Sequence, residues 1–166
     1  MTTKFEVRHV FPFPPETFWT RVHANVEFND ALYNEHLGHR YQILLNDTAT
    51  GKWLSRMFPK VDLPAVLAKA AGGKEEGFYL EEDGQLDRNT WTYNFKVHPS
   101  IMSDKVDVRG KMVVLPHGDG GCERVVNFEI DVRAFGIGKI VESFVEMTVK
   151  RGYDDSGLFL QKYMSR

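Results

Sequence analysis

The chain has 166 residues, of which 42% are hydrophobic and 27% are charged, and its formal net charge is −2. This composition is typical of a globular domain with a sizeable core and argues against a disordered chain, so one domain over residues 1–166 is expected. The nearly balanced charge gives no electrostatic reason to expect nucleic acid as a partner.

The first predicted strand runs from Lys4 to Phe13. Apolar side chains alternate along it with Lys4, Glu6 and Arg8, which is the period-two pattern of a half-buried strand. His9 falls on the apolar side, where a histidine at the edge of a cavity is a simpler interpretation than a catalyst. The strand therefore contributes one apolar face to the core.

Two short helices are predicted before the second strand. Pro15 suits the first turn of a helix that ends at Val22. Asn25 is a favourable N-cap for a second helix from Val26 to Leu37, which Gly38 ends. A first strand followed directly by two helices is an informative order, because it restricts the topologies that the chain can adopt.

Two further strands are predicted from His39 to Asn46 and from Lys52 to Phe58. A short helix follows from Leu63 to Ala71, with Asp62 as its N-cap and Gly72-Gly73 as its end. Its sequence, LPAVLAKAA, is markedly apolar for a connection. We interpret it either as a cover for the edge of the sheet or as a mobile lid that could touch a membrane.

Four more strands are predicted before the C-terminal helix. They run from Gly77 to Glu82 with a turn at Asp83-Gly84, from Thr90 to Val97, from Asp104 to Leu115 and from Cys122 to Ala134. In the last three, apolar residues alternate with polar ones, which predicts an antiparallel sheet with one apolar and one solvated face. The only cysteine, Cys122, excludes an internal disulfide and is interpreted as a small core residue.

A long amphipathic helix is predicted from Gly136 to Met164. Its apolar stripe consists of Val141, Val145, Thr148, Gly152, Phe159 and Tyr163, and its polar side consists of Lys139, Glu142, Glu146, Lys150, Asp154 and Gln161. The small residues in the middle of the stripe suggest a shallow groove for a ligand or another backbone. Plain core packing, in which Gly152 allows the helix close to the sheet, is the alternative.

The order of one strand, two short helices, about six strands and a long terminal helix resembles the helix-grip fold of the START/SRPBCC superfamily, which includes the birch-pollen-allergen-like proteins. Three stretches are similar to an uncharacterised bacterial branch of it: FPFPPETFW (Phe11 to Trp19), TWTYNFKV ahead of KVDVRGKM, and IGKIVESFV running to Tyr163. The resemblance implies an α+β fold, in which a curved antiparallel sheet of about seven strands wraps around the C-terminal helix. It also implies an apolar cavity between them, often for a sterol, lipid or polyketide.

Candidate ligand-cavity residues come from the predicted concave face of the sheet and the apolar stripe of the helix. They are Tyr41, Trp91, Tyr93, Phe95, Val108, Met112, Phe128, Ile130, Val145, Thr148, Gly152, Phe159 and Tyr163. These residues suit a ligand that has an apolar body and one polar end. No hydrolase, zinc-protease or nucleotide-binding motif is present, so no catalytic residue, cofactor or metal ion is predicted. His36 and His39 lack an evident third metal ligand.

We therefore predict a protein that binds, and transfers or senses, a hydrophobic small molecule such as a lipid, sterol or polyketide. The first alternative is a polyketide cyclase or dehydratase of the same fold, in which Tyr41, His9 or Tyr93 would polarise a carbonyl group. The second alternative is an interaction module with a filled interior. No signal peptide or membrane span is visible, so a cytoplasmic location is expected, with transient membrane contact as a further expectation.

Overall fold

A computed structural model describes residues 2–72 and 77–165 of the chain. Within them, the strands are β1 (Thr2–Phe11), β2 (Arg40–Asp47), β3 (Lys52–Phe58), β4 (Leu80–Asp87), β5 (Thr92–Pro99), β6 (Val106–His117) and β7 (Gly121–Val132). The helices are α1 (Pro15–Arg21), α2 (Val26–Asp30) with a π-helical continuation (Ala31–His36), α3 (Ala65–Ala71) and α4 (Gly138–Met164). The elements follow one another in the predicted order.

The strands form one antiparallel sheet in the order β1-β7-β6-β5-β4-β3-β2. Neighbours in the sheet are neighbours in sequence except at β1, which pairs with β7. The sheet is curved around α4, and this confirms the predicted architecture. The core lies between the concave face and the helices, where Phe11, Ile130 and Leu160 bring β1, β7 and α4 together with at most 1% of each residue exposed.

One row of cross-strand partners identifies the side chains on the concave face. Ser55 on β3 is opposite Glu82 on β4, and Glu82 is opposite Val97 on β5. The row continues through Val108 on β6 to Ile130 on β7. Because directly opposite residues project to the same face of a sheet, Glu82 points into the interior with these apolar residues.

The predicted starts of the first two helices are confirmed. Pro15 occupies the first turn of α1. The side chain of Asn25 caps α2 by accepting a hydrogen bond from the Phe28 amide at 2.8 Å. The α-helix does not continue to Leu37 as predicted, because α2 changes to π-helical geometry at Ala31.

The start of α3 was predicted wrongly. The helix begins at Ala65, and Pro64 rather than Asp62 occupies its N-cap position. Gly72 ends the helix with φ +65°, a backbone conformation that favours glycine. Gly73, the second predicted stop residue, lies outside the described residues.

The predicted turn at Asp83-Gly84 is also wrong, because both residues lie inside β4. Gly84 is needed there for space: a Cβ at this position would overlap the ring of Tyr93, which crosses β4 at this point. The chain turns instead just before β5. Trp91, predicted on the inward face, precedes the strand with φ +49° and is 46% exposed.

The long helix begins at Gly138, two residues later than predicted, and its polar side differs from the prediction at Glu142. Glu142 is only 2% exposed and accepts a hydrogen bond from the hydroxyl of Thr3. No heavy atom lies within 4 Å of a Cβ built on Gly152, so this residue does not bring α4 close to the sheet. The close approach is at Gly157, where a Cβ would lie 3.0 Å from the ring of His9.

Candidate functional site

An apolar cavity lies between α3, the sheet and the first half of α4. Its lining residues are Pro59, Val61, Leu67, Phe78, Leu80, Val97, Pro99, Ile101, Met102, Val106, Val108, Val141, Phe144, Val145, Thr148 and Val149. The cavity volume is about 70 Å³. Since one water molecule needs roughly 10–15 Å³ on this measure, the space suits a small apolar molecule.

One wall of the cavity is formed by α3 and the segment before it. Leu67 is the α3 side chain in the wall and is 4% exposed. Leu63 and Val66 are half-buried against the core. The backbone hydrogen bonds recorded for residues 64–72 join neighbouring turns of the same segment. Apart from the hydrogen bond between the Lys60 amide and His39 Nδ1, the wall is therefore held to the rest of the fold mainly by apolar contacts.

The polar residue nearest to this cavity along the concave face is Glu82. It is two residues from the lining residue Leu80 on the same face of β4, and it is directly opposite the lining residue Val97. The Tyr93 hydroxyl donates a hydrogen bond to Glu82 Oε2 at 2.7 Å. Burial raises the pKa of the Glu82 carboxyl, and the hydrogen bond from Tyr93 opposes this shift.

Four tyrosine side chains from different elements interact electrostatically with this carboxyl: Tyr33 from the π-helical segment, Tyr41 from β2, Tyr93 from β5 and Tyr153 from α4. Burial raises the pKa of each hydroxyl, and the charge of Glu82 raises it further. The rings of Tyr33 and Tyr41 stack with centroids 4.4 Å apart, and the neighbouring Ser55 hydroxyl partly offsets the rise in the pKa of Tyr41. All four hydroxyls therefore stay protonated at ordinary pH.

His23 adds a ring to this cluster. Its ring centroid lies 4.5 Å from that of Tyr93 and 5.2 Å from that of Trp19. Burial lowers the pKa of His23 to about 4. The imidazole is therefore neutral at physiological pH.

A second polar cluster connects β1, β7 and α4 around Arg124. Its Nη2 is 3.2 Å from His9 Nδ1 and donates to the Tyr153 carbonyl oxygen at 3.2 Å and to Ser156 Oγ at 3.3 Å. The other ring nitrogen of His9 is 2.8 Å from Asp154 Oδ1. Burial lowers the pKa of Arg124 from its ordinary value, and burial also lowers that of His9. The cluster fixes α4 against the edge of the sheet at Gly157.

The predicted cavity residues divide into several groups. Val108, Val145 and Thr148 line the cavity. Tyr41 and Tyr93 belong to the tyrosine cluster around Glu82. The side chains of Phe95, Met112, Phe128 and Ile130 are buried in the core of the concave face.

The remaining predicted residues lie elsewhere. Phe159 and Tyr163 pack against Phe28 with ring centroids 5.8 and 5.2 Å apart, near the C-terminal end of α4. Gly152 is half-buried, and Trp91 lies in the turn before β5. These residues are therefore not brought together with the cavity wall.

Sequence reasoning missed Glu82, Tyr33, Arg124 and Tyr153. A signal existed for two of them. Glu82 shares a strand face with Leu80, and Arg124 is in the same alternation as Val126. The other two lie on helical segments, where strand alternation gives no guidance.

Two classes of site have no support in the part of the chain that the structure describes. No group of three histidine, cysteine, aspartate or glutamate side chains is placed to hold a metal ion there. The ring of His36 stacks on Phe159, and His39 Nδ1 accepts a hydrogen bond from the Lys60 amide. Among the same residues, no helix has both the length and the apolar character that crossing a membrane requires.

Comparison with known proteins gives one family and several structural neighbours. A family model described as "Protein of unknown function (DUF2505)" matches residues 6–164. A search of curated proteins finds no significant match. Norcoclaurine synthase from Thalictrum flavum, a point mutant in complex with a transition-state analogue, superposes with a TM-score of 0.69 and 16% identity, covering 100% of this chain and 98% of that chain.

Two further structures are similar over their whole length. The Zhui aromatase/cyclase from Streptomyces sp. R1128 gives a TM-score of 0.65 at 14% identity, covering 100% of this chain and 97% of that chain. Ara h 8.0201 gives a TM-score of 0.62 at 15% identity, covering 98% and 99%. At such identities the similarity establishes the fold, which is the helix-grip fold of START/SRPBCC proteins as the sequence predicted.

Proposed function

The chain belongs to the DUF2505 family of proteins of unknown function, and we propose that it binds a hydrophobic small molecule in the cavity between α3, the sheet and α4. The observation that carries this proposal is the composition of the cavity wall, in which Thr148 is the one described lining residue with a polar side-chain group. Apolar surface removed from water contributes roughly 25 cal/mol per Å² to binding, so a wall of this kind favours apolar ligands without selecting among them.

The cavity volume limits what can bind in this conformation. About 70 Å³ is roughly half of the ~150 Å³ that holds benzene in an engineered apolar cavity, so a benzene-sized molecule needs a small outward shift of the wall, and a lipid, sterol or polyketide needs much more room. We propose that larger ligands enter when α3 moves away from α4, since Leu67 is the α3 side chain in the cavity wall. Transfer or sensing of such a ligand would follow from the same movement.

Binding of fluorobenzene, followed by ¹⁹F NMR, tests the proposal at the scale of the observed cavity. Val145→Phe places a larger ring in the cavity and should weaken binding at least about tenfold, because the ligand and the new ring compete for one space. Met147→Phe is the matched control, since Met147 lies two residues along α4 and is 59% exposed. Equal effects of the two variants, or no binding by the parent protein, would refute the proposal.

Native mass spectrometry of the purified protein identifies the natural class of ligand. A co-purifying lipid or sterol supports a carrier, and the mass of the ligand indicates how far α3 must open. A protein that carries no ligand and does not bind fluorobenzene would support the interaction module with a filled interior.

A second candidate function, an enzyme of the cyclase or dehydratase type, is favoured by Glu82. A buried carboxyl with a raised pKa beside an apolar cavity is suited to general acid–base catalysis. Incubation of the protein with a poly-β-ketone analogue, followed by mass spectrometry for loss of water, tests this function. An unchanged analogue would leave ligand binding as the function.

A further inference from the structure

The interior around Glu82 contains phenol O–H groups that do not all donate to the protein. Tyr93 donates to Glu82 Oε2 at 2.7 Å. The hydroxyls of Tyr33 and Tyr153 have no hydrogen-bond partner among residues 2–72 and 77–165, and each residue keeps some accessible surface. Buried hydroxyl groups are rarely left without partners. The hydroxyls of Tyr33 and Tyr153 can therefore donate hydrogen bonds to a bound ligand.

No positively charged side chain in the described chain is hydrogen-bonded or ion-paired to Glu82. Desolvation without such a partner favours the neutral carboxylic acid, which can donate a hydrogen bond itself. The guanidinium of Arg124 also acts on this cluster, where its charge lowers the pKa of the Tyr33 and Tyr153 hydroxyls. These hydroxyls are therefore within the influence of both an acid group and a buried cation.

This arrangement restricts the charge of a ligand group that could lie among the hydroxyls. An ammonium group would meet the positive field of Arg124 and would require Glu82 to lose its proton in a buried environment. A carboxylate would meet Glu82, which would have to stay protonated. A neutral oxygen atom that only accepts hydrogen bonds is neither repelled by Arg124 nor repelled by an ionised Glu82. It can accept hydrogen bonds from the phenol hydroxyls and from the carboxylic acid.

We propose that Glu82, Tyr93, Tyr33 and Tyr153 form a subsite for the carbonyl oxygen of a neutral ketone or aldehyde, whose apolar body occupies the adjoining cavity. This inference rests on the proposed function, because the apolar body must first bind in the cavity. Cavity and subsite adjoin through Leu80 and Val97, which line the cavity and flank Glu82 on the sheet. The subsite therefore selects for a ligand with a carbonyl group at one end, whereas the apolar cavity wall does not distinguish among apolar ligands.

Four ligands of similar size test the subsite: acetophenone, its isostere α-methylstyrene, benzylammonium and benzoate. Competition with fluorobenzene gives the affinity of each. Acetophenone should bind at least about tenfold more tightly than α-methylstyrene, as expected for two net hydrogen bonds in a protein interior. The carbonyl stretching band of bound acetophenone should also lie at lower wavenumber than that of acetophenone in hexane.

Tyr93→Phe removes the hydroxyl that donates a hydrogen bond to Glu82. It should therefore abolish most of the preference for acetophenone over α-methylstyrene and shift the carbonyl band back toward its position in hexane. Tyr79→Phe is the matched control, because the Tyr79 ring packs with Phe58 and Arg56 away from Glu82. If Tyr93→Phe does not fold, Glu82→Leu provides the same test, since it removes the acid group without adding a charge.

The outcomes separate the two proposals. Equal binding of acetophenone and α-methylstyrene overturns the carbonyl subsite and leaves hydrophobic binding intact. Tightest binding of benzylammonium or of benzoate also overturns it and assigns the site to a charged group. Failure of all four ligands and of fluorobenzene overturns the proposed function and the subsite together.

Discussion

The ring of Tyr93 lies directly over Gly84, and no side chain could occupy the space between them. Tyr93 starts from the neighbouring strand, opposite Leu86, and leans along β4 across the glycine. Its hydroxyl then reaches Glu82, two residues further along the same strand. Gly84 therefore determines where the hydroxyl lies and whether it can contact the acid.

Replacing Gly84 with Ala should displace the Tyr93 ring. Overpacking of a well-packed core typically costs about 1–3 kcal/mol, and we expect the free energy of unfolding in urea to fall by that amount. The preference for acetophenone over α-methylstyrene should fall with it, because the Tyr93 hydroxyl would leave Glu82.

The matched control is Gly152→Ala, where the new methyl group meets no heavy atom within 4 Å. Removing a glycine from a helix interior should raise the free energy of unfolding by about 0.5–1 kcal/mol. A destabilisation by Gly152→Ala as large as that by Gly84→Ala would mean that the ring contact is not the cause.

Glu82→Gln should become more stable relative to the parent protein as the pH rises. The unfolded carboxyl ionises near about 4.3, whereas the folded carboxyl has a raised pKa. Between the two values the folded state binds more protons than the unfolded state, so the parent protein loses stability with rising pH. Glutamine has no proton to lose and keeps an oxygen for Tyr93.

Urea unfolding of both proteins from pH 4 to pH 8 measures this difference. The four tyrosines near Glu82 have raised pKa values and do not ionise in that range, and the contribution of His23 is common to both proteins. Glu35→Gln, at an exposed position of the π-helical segment, is the control for the change in net charge. A stability difference independent of pH would show that the Glu82 carboxyl ionises in the folded protein as in the unfolded chain.

His23→Phe should make the protein less sensitive to acid. The pKa of His23 is about 4 in the fold and about 6.5 in an unfolded chain. As the pH falls between these values, the unfolded state gains a proton that the folded state does not. The parent protein should therefore lose up to about 3 kcal/mol of stability over this window.

Phenylalanine preserves the ring contacts with Trp19 and Tyr93 and cannot take up a proton. Unfolding free energies at pH 7 and pH 4.5 should therefore differ less in His23→Phe than in the parent protein. His117→Phe, at an exposed position beside the β6–β7 turn, is the control. If the two variants show the same acid sensitivity, burial of His23 is not its source.

The alternation of side chains predicted the sheet well, because a period of two depends only on neighbouring residues. The same alternation reaches Arg124, two residues before Val126, but Arg124 was not assigned to the inward face. Glu82 was missed because Gly84 was interpreted as part of a turn. Gly84 leaves space for the ring of Tyr93, which comes from β5. The sequence of β4 alone does not show that another strand needs this space.

The interior polar cluster depends on distances between segments far apart in sequence. Tyr33 and Tyr153 are 120 positions apart, and both lie near Glu82 only after the sheet has curved around α4. Glu142 was placed on the polar side of the helix because, at about 100° per residue, it falls opposite the apolar stripe. Its partner, the Thr3 hydroxyl, comes from the opposite end of the chain.

The last prediction concerns α3 as the entrance to the cavity. A segment opens easily when its own hydrogen bonds are local and few apolar contacts hold it. The described hydrogen bonds of residues 64–72 are local, and Leu67 is the α3 side chain in the cavity wall. Amide hydrogen exchange should therefore be faster in α3 than in β5, and it should slow when a ligand fills the cavity.

Leu67→Ala should make this opening more frequent. Truncation of a buried leucine typically costs about 2 kcal/mol or more, which is roughly thirtyfold in an opening equilibrium. Transfer of a fluorescent fatty acid between vesicles should accelerate accordingly, whereas its affinity at equilibrium should change less, because opening affects association and dissociation together. Lys69→Ala, at an exposed position of the same helix, should leave both unchanged. Exchange in α3 as slow as in β5, together with an unaltered transfer rate in Leu67→Ala, would show that α3 covers the core without acting as the entrance.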